Sequence, residues 1–135
     1  MEPSLALQAA VRARLVSSSA LVALVAAVNI RDANGLPAAF PCILIGEGQT
    51  VPGGDIARKR HEAFLDLHIW TTESSLETSK RIAGAVRAAL IDTNWAVTGL
   101  HVADLYVASS RFLRDPDGKH SHAVLSLSAL VQEVA

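Results

Sequence analysis

The side chains able to do acid–base, nucleophilic or metal chemistry in this 135-residue chain are five histidines, one cysteine and 13 carboxylates. His120 and His122 share a face if their segment is a strand, and His68 and His101 read as occupants of neighbouring strands. Two or three imidazoles together with Cys42 form a donor set that zinc accepts. No local pair has the spacing of a helical or knuckle zinc site, however. The plainer reading sets His120 and His122 beside an exposed turn, and His61, His68 and His101 at solvent-side strand positions. Cys42 lies between Pro41 and an Ile-Leu-Ile run, where a cysteine acts as a small buried hydrophobe rather than a nucleophile. The expected metal and cofactor content is therefore none.

Other chemistry is weaker still. Gly46-Glu47-Gly48 begins a Gly-x-Gly, but Val51 stands where the third glycine belongs and no helix opens there. No Walker-type lysine follows a glycine loop, and no Gly-x-Ser-x-Gly elbow occurs. Asp115 and Asp117 are explained by turn chemistry, and Glu73 and Glu77 by the start of a helix, where negative charge is favoured. Arg58-Lys59-Arg60 is the dense basic run, with Arg111, Arg114 and Lys119 grouped near a second turn. Such charges can meet DNA phosphates or an acidic protein surface, or simply blunt a strand edge against stray pairing. Aromatic platforms for single strands are missing nearby apart from Phe64 and Phe112, which favours protein contact or a plain edge.

The elements that must position these groups are legible from periodicity. Residues 61–71 place Ala63, Leu65, Leu67 and Ile69 alternately with Glu62, Asp66 and His68, the signature of a strand with one dry face. Ser74 and Glu77 have capping-box spacing, and Leu76, Ile82, Ala83, Val86, Ala89 and Leu90 then recur at helical intervals to Ile91. Upstream, residues 4–16 carry a Leu7/Val11/Leu15 helical stripe, and Ser19 is placed to cap a short helix over 20–27. Residues 28–30 suggest a brief strand and 31–41 a loop with Asn34-Gly35, Pro37 and Pro41. Residues 42–47 read as a short dry strand, and 48–60 as a long mobile arm containing Pro52-Gly53-Gly54. Residues 100–113 form a further strand, Asp115-Pro116-Asp117-Gly118 a tight turn, and 121–131 a last strand with Ala123, Leu125, Leu127, Ala129 and Val131 on one face. The order α-α-β-β-α-β-β predicts a single α+β domain over 1–135. It is a two-layer sandwich in which helices cover one face of an about four-stranded mixed or antiparallel sheet. If the helix over 75–91 joins strands of one direction, its crossover is right-handed.

Bulk properties narrow the class. Half the residues are hydrophobic but only 4% are aromatic, so Ala, Val and Leu build the core. A net charge of −1 gives no general affinity for nucleic acid or anionic membrane. One cysteine allows no intrachain disulfide, which suits a reducing compartment or a virion assembled in one. The longest apolar run, residues 20–28, is far short of the ~20 residues that span a bilayer. Arg12 and Arg14 ahead of Ala26-Ala27 loosely imitate a signal peptide, but Glu2 and the Leu7/Val11/Leu15 stripe oppose that reading. A mean hydropathy of +0.31 in a 14.2 kDa chain, with Phe64 and Trp70 opposite Leu65 and Ile69, points to apolar surface beyond what one core uses. A globule of this mass exposes roughly 6,800 Å². Contacts of about 800 Å² with each of two neighbours in a ring would cover around a quarter of it.

Several stretches taken in order resemble a known family. They are Leu21-Val22-Ala23-Leu24-Val25, then Phe40-Pro41 before an apolar strand, and Leu65-Asp66-Leu67-His68-Ile69-Trp70. The helix over 82–90, the run Ser110-Arg111-Phe112-Leu113-Arg114-Asp115-Pro116-Asp117-Gly118 and the closing strand complete the set. This pattern is similar to the tail terminator, or tail completion, proteins of long-tailed phages, in the branch found in prophages and gene transfer agents of alphaproteobacteria. The resemblance implies a non-enzymatic structural protein that forms a hexameric ring capping the tail tube. Its implied partners are its own copies, the tail tube protein and a head-side stopper or connector, with DNA passing unread through the lumen and no membrane. It implies residence in the bacterial cytoplasm before assembly and at the top of the tail, in the neck of the particle, afterwards. Gln49, Asp55, Arg58, Lys59 and Arg60 on the arm are then expected to serve subunit or axial contacts, with Arg114, Asp115, Asp117 and Lys119 at the second turn. The competing expectation from the residues alone is a small α+β ligand-binding domain or enzyme using the histidines.

Overall fold

The computed structural model describes residues 2–32 and 39–134. Helix α1 (Pro3–Val16) opens with Glu2, whose carboxylate accepts from the Ser4 N–H, and with Pro3 in the first turn, where its missing N–H is harmless. Leu7, Val11 and Leu15 form its buried stripe. The short α2 (Ser19–Val22) is capped by Ser18 rather than Ser19: the Ser18 Oγ accepts from the Leu21 N–H at 3.2 Å. It ends well before residue 27, and a 3-10 turn at Ala27–Asn29 leads into β1 (Ile30–Arg31).

Strands β2 (Cys42–Pro52), β3 (Arg60–Thr71), β4 (Leu100–Arg114) and β5 (Ser121–Glu133) join β1 in one sheet of order β1-β2-β3-β5-β4. The sheet thus has five strands rather than four. It is mixed, because β1 runs parallel to β2 while the other neighbours are antiparallel. Helix α3 (Glu77–Leu90) links β3 to β4, which run in one direction with β5 between them. The expected Ser74–Glu77 capping box does not form. The helix starts later, so Glu77 lies in its first turn and pairs with Arg81 at 2.7 Å. Ser75 and Glu73 instead accept from the Glu77 and Thr78 N–H groups.

Alternation in β3 and β5 sorts the two faces. Ala63, Leu65, Leu67, Ile69, Ala123, Leu125, Leu127, Ala129 and Val131 are buried against the α1 stripe and against Ile82, Ala83, Val86 and Leu90 of α3. The opposite face carries no helix among the described residues and presents Phe64, Asp66, His68, Trp70, His122 and Val124, all half-buried. Two arginines bind the layers together. Arg12 donates to the Ile30 carbonyl at 2.8 Å, and Arg14 donates to the carbonyls of Asp92 and Asn94 beyond α3. No helix among the described residues is long and apolar enough to cross a membrane.

Candidate functional site

The histidines meet only in part. His68 on β3 and His122 on β5 are cross-strand neighbours on the helix-free face, with Nδ1 of one 2.9 Å from Nε2 of the other. The His122 ring stacks on Trp70 with centroids 3.9 Å apart. Burial pushes the His122 imidazole below its ordinary range, and the neighbouring His68 charge adds to the effect. His101 does not adjoin His68, because β5 separates their strands; it pairs with Gln132 instead. His61 is not a solvent-side residue either. Its Nε2 is 2.8 Å from Glu133, and its Nδ1 is buried without a hydrogen-bond partner. His120 sits at the β4–β5 turn against Asp117.

Among the described residues, two groups bring three possible ligand atoms within 4.8 Å: Glu47, Asp66 and His68, and Asp115, Asp117 and His120. Either has the donor types for one divalent cation. Hydrogen bonds already account for both. Asp66 accepts from the Ser126 hydroxyl at 2.8 Å, and Asp117 accepts from the Lys119 N–H at 2.7 Å. Those turn N–H groups, with His120, hold the Asp117 carboxyl down at about 2. The Cys42 thiol is buried and pushed up by that burial, the opposite of what a nucleophile needs. The arrangement favours hydrogen bonding and packing over catalysis.

Among the described residues, the projecting segments are the two hairpin ends. They lie at opposite ends of the sheet, because Arg60 and Ser121 begin antiparallel neighbours β3 and β5. The β2–β3 end is shorter and firmer than the sequence suggests. Gly48 to Pro52 continue β2 and pair with Leu65 to His61, so Gln49 is a strand residue opposite Phe64 and not part of an arm. Only residues 53–59 project. Gly53 donates to the Arg60 carbonyl at 2.7 Å, and the Asp55 carboxylate accepts from the N–H groups of Lys59 and Arg60. These bonds, the Lys59 N–H most, hold the Asp55 carboxyl below its ordinary pKa, and Arg58 closes the turn at φ 58°. At the apex stands Ile56, 100% exposed, beside the exposed Arg58, Lys59 and Arg60. An apolar side chain isolated in a polar loop was the available sequence signal for it.

The β4–β5 end matches its expected turn. Asp115 accepts from the Asp117 N–H, Gly118 takes φ 72°, and Lys119 is exposed. Arg114 leans back to donate to the Ser74 carbonyl at 3.1 Å, tying this hairpin to the segment before α3. A third surface was not anticipated. A groove of about 270 Å³ runs between the end of α3 and β4, lined by Arg87, Leu90, Ile91, Asp104, Leu105 and Tyr106 among others. Ile91 is 80% exposed and Tyr106 50%.

The family described as tail completion protein gp17 matches residues 9–132. A chain from the virion of a native gene transfer agent (GTA) particle superposes with a TM-score of 0.85 at 22% identity, over 97% of this chain and 98% of that one. The gp17 protein of bacteriophage SPP1 superposes with a TM-score of 0.59 at 22% identity, over 98% of this chain and 91% of that one. At such identities the superpositions establish a shared fold. No individually curated protein matches the sequence.

Proposed function

The chain belongs to the tail completion protein gp17 family, and on that premise we propose that it assembles as a closed ring on the finished tail tube. The ring, of about six copies, stops further tube growth and offers its other face to the head-side connector. DNA passes through the lumen without base-specific contact. The observation that carries the reading is the family match across residues 9–132, which runs from within α1 to the last residues of β5.

Physical features of the chain support it. Tips at opposite ends of the sheet give one subunit two separated contact points, which stacking between a tube below and a connector above requires. Exposed Leu130, Leu113 and Tyr106 on or beside the helix-free face are apolar surface that subunit contacts would bury. Asp55, Arg58, Lys59 and Arg60 at one end, and Arg114, Asp115, Asp117 and Lys119 at the other, supply the polar rim of such contacts. Gln49 contributes from the exposed side of β2.

The test is deletion of Gly53 to Ile56 with Pro52 joined to Ala57. The fold is expected to persist, since these residues contribute no core side chain, while particles fail to join tail and head. Normal joining by the shortened protein would remove this hairpin from the assembly role.

A further inference from the structure

We propose that Glu47, Asp66 and His68, on the helix-free face where β2 passes β3, form a binding site for one divalent transition-metal ion of the Zn²⁺ type. His68 Nε2 is its nitrogen ligand, and His122 is the residue that orients that ligand. The site does not depend on the ring reading.

The backbone shapes the site. Ile45 pairs with Leu67 and Gly48 with Leu65, so Gly46 and Glu47 together face the single residue Asp66. A regular ladder would set residue 47 opposite the buried Leu65, on the helix-covered face. The bulge instead turns Glu47 onto the face that carries Asp66 and His68, the kind of re-aiming for which bulges are used beside functional sites. Gly46 completes the seat. A Cβ there would stand 2.5 Å from Cδ2 and 2.6 Å from Nε2 of His68, so only a glycine lets the imidazole lie against the bulge.

The spacing suits an ion better than a direct hydrogen bond. Glu47 Oε2 lies 3.4 Å from His68 Nε2. A charge-assisted N–H···O bond closes to about 2.7–2.9 Å. Two ligands each about 2.1 Å from a tetrahedral ion, by contrast, stand roughly 3.4 Å apart. An Asp66 oxygen joins them within 4.8 Å, a gap that side-chain rotation closes.

The two half-buried ligands are held from behind, as metal ligands are, by hydrogen bonds that leave lone pairs free. Asp66 Oδ1 accepts from the Ser126 hydroxyl at 2.8 Å, which leaves Oδ2. His68 Nδ1 is 2.9 Å from Nε2 of His122, whose ring is stacked on Trp70. With His122 accepting from the Nδ1–H, the His68 Nε2 lone pair faces two carboxylates, and a cation between them relieves the repulsion. One imidazole and two carboxylates are donors that Zn²⁺ takes, whereas Ca²⁺ needs six or more oxygens. The second three-residue group differs. The Asp117 carboxylate already accepts from the N–H groups of Lys119 and His120 and from the His120 ring, so its capacity is spent on its own turn. An ion at Glu47 staples the outer part of β2 to β3, beyond Ile43 and Leu44, the residues that β1 covers.

The purified chain, stripped with EDTA and freed of chelator, is titrated with Zn²⁺ by calorimetry and with Co²⁺ by visible absorption. One ion per chain is expected, with a Co²⁺ band that Zn²⁺ displaces and a melting temperature that Zn²⁺ raises. His122→Gln is expected to weaken Zn²⁺ about 10- to 100-fold while keeping the Co²⁺ band at saturation, and Glu47→Gln, which removes a ligand, to weaken it by no less and to alter the band. Glu47 is 86% exposed, so its variant folds, which an unchanged melting temperature in EDTA verifies. His120→Gln leaves the affinity as it is. A wild type that binds no ion, affinity indifferent to Glu47→Gln, or affinity that follows His120→Gln instead marks an adventitious ion only and overturns the inference.

Discussion

The guanidinium of Arg14 lies 3.6 Å from the centroid of the Trp95 ring, and its Nη2 donates to the Asn94 carbonyl at 2.6 Å. A residue of the first helix thus clamps the segment that follows the third. The Asp92 carbonyl is held by the same side chain at 3.0 Å. Arg14→Ala removes a cation–π contact and charge-assisted hydrogen bonds together. A loss of about 2 kcal/mol in urea unfolding is expected, with Arg14→Lys recovering only part, because an ammonium cannot stack and fork at once. Equal stability of the two variants and wild type would show that the clamp contributes nothing.

The helix-covered face should be intolerant of lost volume. Leu67 is fully buried between β2 and β5 and under the helices. Leu67→Ala is expected to cost about 3 kcal/mol, the usual range for a buried leucine. Ile56→Ala, which removes an exposed side chain, should change monomer stability by less than about 0.5 kcal/mol. Thermal melts of the two variants side by side read the contrast.

Gly46 is fixed by its neighbour. A Cβ there would stand 2.5 Å from the His68 ring, whose Nδ1 is bonded to His122. Gly46→Ala should push His68 aside, disturb the stack of His122 on Trp70 and cost roughly 1–3 kcal/mol. The Trp70 fluorescence, recorded in a Trp95→Phe background, is the direct readout.

Acid should loosen the β4–β5 hairpin end in two steps at different pH. The lowered pKa of His122 means that the unfolded chain takes up its proton first. Stability is therefore expected to fall as pH drops through about 6.5 and to level off below the folded value. The facing charges divide: His68 and Arg111 oppose protonation, and Asp115 favours it. Asp117, held at about 2, contributes stability that is present above its ordinary value near 4 and lost as pH falls towards 2. His122→Gln should flatten the upper step alone in a pH series of melting temperatures, and Asp117→Asn the lower one.

Sequence periodicity revealed what rests on a repeating face. The Leu7/Val11/Leu15 stripe, the alternation from Ala63 to Ile69 and the Asp115–Gly118 turn all stand where their spacing put them. Contacts that depend on register or distant pairing stayed hidden. Gly48 and Pro52 read as loop because those residues are poor in strands, yet pairing with β3 carries β2 on to Pro52 at a partly free sheet edge that tolerates proline. The two-residue β1 became a sheet member only through its parallel partner. The His68–His122 contact needed the β3–β5 register, and the Arg14–Trp95 clamp joins residues with no local sequence relation. At the candidate site the basic run was visible, but Ile56 passed unnoticed among polar neighbours, and the α3–β4 groove has no linear signature at all.

The central claim is that this chain closes as a ring on the tail tube and ends its growth. Electron microscopy of tubes polymerised from the cognate tail tube protein, with and without the purified chain, tests it most directly. Tubes are expected to stop short, each with one extra ring of about six copies at a single end, as the proposed cap requires. Tubes of unchanged length, with the protein absent from their ends or scattered along their sides, would contradict the account.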